Sequence, residues 1–165
     1  SGTGSATHTA AIQLMDAAGC KVVHLPKGIK GRNKSVLNGE ADAMIAPLTG
    51  AVNLTNAGKL KILLMPTAER STVFPDVPTA KEAGYDVSFD LFRGLSVAPN
   101  TPDDVKSKLA DAMAKAANSP EFLKLAKTKG FTVAPLGHED FEVLLAEENA
   151  KVKEIFASAG LLKTQ

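Results

Sequence analysis

The 165-residue sequence predicts an α/β fold with a parallel-type sheet flanked by helices. Helical and extended apolar patterns alternate through its first half, which is the order of elements that builds parallel sheets. Its second half carries helical patterns that each have their own start signal. Hydrophobic residues make up 44% of the sequence, so the chain can bury one sizeable core, as one domain or two small lobes.

Charge and aromatic content narrow the range of partners. The 19 basic and 18 acidic residues leave a formal net charge of +1, which gives little attraction to nucleic acid or to a membrane surface. Aromatic residues make up 5% of the chain, with no tryptophan, so stacking platforms for bases or sugars are scarce. We therefore expect no nucleic-acid partner.

The first ten residues, SGTGSATHTA, are rich in glycine and hydroxyl groups and lead into a helical pattern. Gly2 and Gly4 allow close backbone approaches, and Ser5 or Thr7 can cap the helix. Amide groups and the positive end of the helix dipole would then face a carboxylate or phosphate. The alternative is an ordinary capped helix after a flexible terminus. No strand precedes this loop to hold it, so we expect the chain to belong to something longer.

The rest of the first half alternates between helices and strands. Glycines at positions 19, 39 and 58 close the three helical patterns. After the first helix, the predicted helices are Asn33–Asn38 and Gly50–Ala57, and the predicted strands are Val22–Leu25, Ala43–Ile45 and Leu60–Met65.

The middle of the chain changes character. Prolines at 66, 75 and 78 predict turns, followed by a short helix at Thr79–Ala83. Val87–Val97 is then an extended run, longer than the usual strand of about five or six residues. A strand of that length is expected to cross from one lobe to another.

The second half is predicted to be mainly helical. Thr101 is expected to cap a helix that has Pro102 at its first position, and Ser119 and Pro120 repeat this start signal. The predicted helices are Pro102–Ala117, Pro120–Lys129 and His138–Ala159, with a short strand at Phe131–Val133. Three helices and one short strand cannot complete a layered domain. We expect the missing sheet to come from sequence absent here, and the uncovered helices to make this chain self-associate.

Catalytic and metal motifs are weak. The glycine pattern at residues 2–7 lacks the last glycine of a dinucleotide fingerprint, and no acidic residue follows about 20 positions later. A Gly-x-Ser-x-Gly elbow does not occur, and His8, His24 and His138 show no paired ligand spacing. His8 is expected to pack or bond near the first helical turn. Cys20 has no partner for a disulfide and is expected to be half-buried. Neither a cofactor nor catalysis is predicted.

Two other features of the sequence each have a functional and a purely structural interpretation. Lys27, Lys30, Arg32 and Lys34 form a basic cluster, which could attract an acidic molecule or could be a solvated loop. Thr49 and Gly50 follow a predicted strand and precede a helix, so they would lie at the carboxyl end of a parallel strand, where ligands bind. A plain helix cap at Thr49 explains them equally well. The chain has no leader pattern and no long apolar run, so we expect no signal peptide in it and no membrane span.

Seven motifs lie along almost the whole chain: Gly2–His8, Val23–Pro26, Leu37–Met44, Ala57–Leu60, Glu69–Ser71, Phe74–Gly84 and Gly94–Pro102. The Pro-Asp-Val-Pro-Thr-x-x-Glu-Ala-Gly block is the most specific of them. In this order the motifs resemble those of the substrate-binding receptors of tripartite tricarboxylate transporters, also called the Bug family.

The resemblance implies a type II periplasmic binding-protein arrangement of two α/β lobes. Residues 1–90 would form the second ligand-binding lobe, and residues 91–165 a hinge strand and the helical remainder of the first lobe, with a boundary near Leu91. The first part of the amino-terminal lobe would be absent. It further implies a periplasmic protein, without catalysis, that delivers a small carboxylate to a membrane permease.

The resemblance also implies ligand-binding residues. The family's anion loop falls on Thr3, Gly4, Ser5, Ala6, Thr7 and His8, and a second family loop on Ala46–Gly50, including Thr49 and Gly50. This second loop departs from the family's usual acidic and amide residues followed by Leu-Pro-Ser. The loop at Pro26–Gly31 departs as well, so the resemblance implies the carboxylate class and no particular acid. The alternative function is a carboxylate-sensing regulatory module, or an enzyme, on the same fold.

Overall fold

The computed structural model describes residues 2–161. The long predicted helices are confirmed, and within these residues no helix is long and apolar enough to cross a membrane. In chain order the helices are α1 (Ala6–Ala17), α2 (Gly28–Leu37), a 3₁₀ turn (Leu48–Gly50), α3 (Val52–Asn56), α4 (Asp103–Ala117), α5 (Pro120–Lys129) and α6 (His138–Ser158).

The end signals of α5 are confirmed in detail, whereas the predicted cap of α4 is wrong. Ser119 Oγ accepts a hydrogen bond from the Phe122 amide, and Gly130 ends α5 in the left-handed conformation with φ of 73°. In α4 the N-cap residue is Pro102, and no side chain caps the helix. Because a proline at the N-cap displaces Thr101 by one position, its hydroxyl is out of register with the first turn.

Helix α2 begins five residues before its predicted start. It includes Gly28, Ile29 and Gly31, so the basic cluster lies mostly on a helix and the interpretation as a loop is wrong. The apolar spacing is too sparse to show this from sequence. An ion pair between Lys27 and Glu40, 2.5 Å from Nζ to Oε1, joins the two ends of the helix.

Within residues 2–161 the predicted strands do not form, and the parallel sheet is not confirmed. The described residues contain one isolated parallel bridge, between Met65 and Thr79. A ladder needs a neighbouring strand that pairs over several residues, and none of these segments has one here; Val23, for example, is 96% exposed. The segments concerned are Val22–Leu25, Ala43–Ile45, Leu60–Met65, Val87–Val97 and Phe131–Val133.

The Pro-Asp-Val-Pro-Thr-x-x-Glu block has a structural role. Thr79–Ala83 is a turn rather than the predicted helix. The Thr79 amide donates to Glu82 Oε2 at 2.8 Å, while the Glu82 amide donates to Thr79 Oγ1 at 3.1 Å, which is the reciprocal bonding of a capping box. Arg70 Nε donates to both carboxylate oxygens of Glu82, and this bonding lowers the pKa of the carboxyl group below its ordinary value. These bonds therefore hold the turn at Thr79–Ala83 against the loop that contains Arg70.

The buried core is small and lies between α1 and this turn. Leu14 of α1, Ala80 and Val87 form its buried centre, and partly buried apolar side chains surround them. Helix α6 packs against α1. Cys20, just beyond α1, is exposed, so its predicted half-burial is wrong; the segment it was expected to enter is not paired in a strand.

Much apolar surface remains uncovered. The chain exposes 11591 Å², whereas a compact monomer of this length exposes about 7,800 Å². Neither α4 nor α6 buries a residue fully. Val105, Met113, Phe122 and Leu145 are more than a third exposed on these helices and on α5. Burying a large apolar side chain stabilises a protein by about 1.5 to 3 kcal/mol, so this surface favours association.

We expect the 165-residue chain to self-associate at micromolar concentration. The reason is the exposed apolar face of α4, α5 and α6. Multi-angle light scattering should show a dimer or larger species, and Met113→Lys together with Leu145→Lys should shift it toward monomer. A compact wild-type monomer with a cooperative melt would show that these faces need no cover.

Candidate functional site

A cleft of about 430 Å³ opens beside the N-terminus of α1. Four separate parts of the chain line it: the start of α1, one face of α2, the 3₁₀ turn, and the segment after the core residue Val87. The lining residues are Ser5, Ala6, Thr7, Ile29, Arg32, Pro47, Thr49, Gly50, Leu91 and Arg93.

Gly4 sets the direction in which α1 begins. Its φ is 74°, in the left-handed region that glycine adopts without steric cost. Its amide donates to Nδ1 of His8 at 3.0 Å, and the Ser5 amide donates to the Gly2 carbonyl at 3.2 Å. The loop before α1 is thus a tight, hydrogen-bonded turn, and His8 bonds near the first helical turn as predicted.

The amino-terminal end of α1 faces the cleft. Ser5 is the N-cap residue, but its hydroxyl does not cap the helix, so the capping role predicted for it is wrong. Its Oγ lies 3.4 Å from Oγ1 of Thr7 instead. The first amide groups of a helix have no acceptor inside it, and those of Ala6 and Thr7 occupy these positions beside the cleft. Amides, hydroxyls and the helix dipole together favour an anion there.

A ring from the other end of the chain lies behind this loop. A Cβ built on Gly4 would lie 3.7 Å from Cζ of Phe156, which α6 presents toward α1. Phe156 thereby places an aromatic ring against the loop, and it does not line the cleft. The position of the loop depends on α6 as well as on its own glycine.

Gly50 and Arg32 meet in another part of the cleft lining. A Cβ at residue 50 would lie 3.1 Å from Nη2 of Arg32, so the absence of a side chain makes room for the guanidinium. The φ of Gly50 is not in the left-handed region, so the requirement is for space and not for backbone freedom. Thr49 lies within the 3₁₀ turn, whose N-cap is Pro47, so the helix cap considered for Thr49 is wrong.

Two guanidinium groups give the cleft a positive charge. Arg32 is half-buried, and burial lowers the pKa of its guanidinium below its ordinary value; an arginine side chain nevertheless stays charged at neutral pH. Arg93 is exposed, and its Nη1 donates to the Phe92 carbonyl at 3.4 Å. The lining contains no acidic side chain. The cleft is therefore suited to a small anion.

The structure brings together five of the eight residues predicted to bind a ligand. Ser5, Ala6, Thr7, Thr49 and Gly50 all line the cleft. Thr3, Gly4 and His8 do not line it, and the last two instead hold the shape of the loop through their mutual hydrogen bond.

Sequence reasoning named Arg32 as one of four basic residues that could attract an acidic molecule but did not place it in the site, and it missed Arg93. The signal for Arg32 lies in its spacing from Ile29, because residues three apart share one face of a helix once the helix is known to begin at Gly28. No local pattern marks Arg93, which lies in a segment without regular secondary structure.

The chemistry of the lining is that of binding. Hydroxyl, amide, guanidinium and apolar groups surround the cleft, and carboxylate, imidazole and thiol groups do not line it. Within residues 2–161, no group of three or more His, Cys, Asp and Glu side chains could hold a metal ion.

Comparison with known proteins identifies the family. The family described as the tripartite tricarboxylate transporter family receptor matches residues 1–161. The chain belongs to this family. It is 29% identical over 168 residues to the UPF0065 protein in the gbd 5′ region of Cupriavidus necator, covering 99% of this chain and 50% of that relative. The chain thus spans about half the length of this relative.

Solved structures of family members share the fold. A TctC solute binding protein from Polaromonas, without ligand, is 30% identical with a TM-score of 0.77, covering 95% of this chain and 55% of the other. MatC from Rhodopseudomonas palustris, with bound malate, is 25% identical with a TM-score of 0.76, covering 94% of this chain and 54% of the other. The predicted family is confirmed, and the fold is that of a periplasmic binding protein.

The pKa of the His8 ring depends on the structure of the loop before α1, so its titration tests that structure. Burial, the nearby His24 ring and the amino-terminal charge lower the pKa of His8 below 6.5, and its Nδ1 must be unprotonated to accept from Gly4. The unfolded chain therefore binds the proton more readily than the folded chain. The stabilisation is full above pH 6.5 and is lost as the pH falls through the folded pKa.

We expect the NMR titration of the His8 ring to have its midpoint below 6.5. Urea unfolding should show stability that decreases from neutral pH toward the folded pKa, and His8→Gln should remove part of this dependence. A midpoint at or above 6.5 would contradict the burial of the His8 ring beside His24 and the unprotonated Nδ1 that accepts from Gly4.

Proposed function

We propose that this chain supplies a ligand-binding face of a periplasmic solute-binding protein, which captures a small carboxylate and delivers it to a tripartite tricarboxylate-type membrane permease. The observation that carries the proposal is the convergence of the α1 N-terminus, Arg32 and Arg93 on one cleft. Helix N-termini and guanidinium groups both bind carboxylates through charge-assisted hydrogen bonds. Family membership and the malate bound to MatC support this ligand class.

We further propose that residues 1–90 belong to the second lobe and residues 91–165 to the hinge and the helical remainder of the first lobe. The length of the relatives, about twice that of this chain, supports a second ligand face outside it. In such a receptor the ligand drives closure because it binds the closed state more tightly than the open state. One face alone should therefore bind weakly.

A binding role explains the cleft better than catalysis does. The lining offers hydroxyl and guanidinium groups that can hold an anion, and no feature of it favours an enzyme. The proposal of delivery to a permease is supported by the family match and not by the cleft.

The experiment is an NMR titration of the 165-residue chain with malate. We expect shifts at the amides of Ala6 and Thr7 and a dissociation constant of about 1 mM. Ser5→Ala together with Thr7→Ala should weaken binding by at least about 1.5 kcal/mol, because two hydroxyls beside the helix terminus are lost. Thr3→Ala is the matched control, since Thr3 is exposed and does not line the cleft.

Two results would contradict these proposals separately. Unchanged affinity in the double variant would show that the N-terminus of α1 does not hold the carboxylate. A submicromolar dissociation constant for this chain would show that a second lobe is not needed to complete the site.

A further inference from the structure

The cleft holds its two kinds of anion-binding group on separate elements. The amides of Ala6 and Thr7 lie at the start of α1, whereas Arg32 lies on α2 and meets the 3₁₀ turn at Gly50. A volume of about 430 Å³ exceeds what one carboxylate group needs. A ligand with a second anionic group can therefore engage both elements.

Arg32 is held in place more firmly than the other cation of the cleft. It is half-buried on a regular helix, and its Nη2 lies where a side chain at position 50 would be. Arg93 is exposed, on a segment without regular secondary structure. A guanidinium fixed by its surroundings loses less conformational freedom when it binds a carboxylate.

We propose that Arg32 is the specificity-determining residue of this cleft: it binds the second carboxylate of a dicarboxylate whose first carboxylate lies at the N-terminus of α1. The assignment rests on the proposed function and adds to it the residue that separates dicarboxylates from monocarboxylates. Gly50 is part of the assignment, because a larger residue there would displace the guanidinium.

The basic residues near Arg32 provide a matched control. Lys30 lies on the same helix two residues earlier, is exposed, and does not line the cleft. Its substitution removes the same charge from α2 without removing a group from the cleft. A contact at Arg32 is thereby distinguished from a general effect of positive charge, which salt would screen.

The test compares malate with 2-hydroxybutyrate and 3-hydroxybutyrate, in each of which a methyl group replaces one carboxylate of malate. NMR titrations of the 165-residue chain give all three affinities. We expect malate to bind about tenfold more tightly than either monoacid, as one charge-assisted hydrogen-bonding contact implies. Arg32→Gln should weaken malate binding about tenfold and leave the monoacids nearly unchanged. Lys30→Gln should preserve the preference for malate.

Gly50→Ala supplies a second, independent variant. In the wild-type background it should reduce the preference for malate, because the added methyl group displaces the Arg32 guanidinium. In the Arg32→Gln background it should have no further effect on the preference, because the guanidinium is already absent. Amide spectra that remain dispersed in each variant show that the fold is kept.

The outcomes separate this assignment from the proposed function. Malate shifts at Ala6 and Thr7 with equal losses for malate and the monoacids in Arg32→Gln would overturn the role of Arg32 and leave the carboxylate site standing. Loss of the preference in Arg93→Gln but not in Arg32→Gln would also overturn it. If malate shifts neither Ala6 nor Thr7, the proposed function itself fails, and the assignment fails with it.

Discussion

The left-handed backbone at Gly4 is the constraint on which the candidate site depends. With φ of 74°, this residue turns the chain immediately before α1, whose first residues line the cleft. The hydrogen bond from the Gly4 amide to His8 fixes the turn from within, and the Phe156 ring supports it from behind. Two distant parts of the sequence therefore cooperate to present one helix terminus, whose dipole and amides supply anion affinity without a charged side chain.

The part of the cleft that Arg32 and Gly50 line attracts an anion in a different way. Arg32 brings a formal charge to the cleft, and the missing side chain of Gly50 provides the space for it. Two glycines therefore serve the same site for unlike reasons, one for its backbone angle and one for its lack of a Cβ. Since these two parts of the cleft come from different elements, their spacing can select for the length and charge of a ligand, which neither part could do alone.

The sequence predicted the helices and the cleft residues at the start of α1. It did not predict the absence of the strands from residues 2–161 or the place of Arg32 and Arg93 in the cleft. Helix α5 carries its own start and stop signals in Ser119 and Gly130, so local chemistry determined it. The strand predictions were wrong because a strand forms only beside a partner strand, and an apolar pattern does not show whether such a partner is present. Arg32 was not distinguished from the other residues of the basic cluster, because its place in the cleft depends on where α2 begins and on its tertiary contact with Gly50.

The role of the turn at Gly4 is tested most directly by comparing the malate affinities of the variants Gly4→Ala and Gly2→Ala. Left-handed backbone costs a non-glycine residue about 1 to 2 kcal/mol, whereas Gly2 has no positive φ and open space around the position of a Cβ. We predict that Gly4→Ala weakens malate binding about tenfold while helical content is kept, and that Gly2→Ala leaves the affinity unchanged. Equal malate affinity in the two variants would contradict the claim that the turn at Gly4 builds the site.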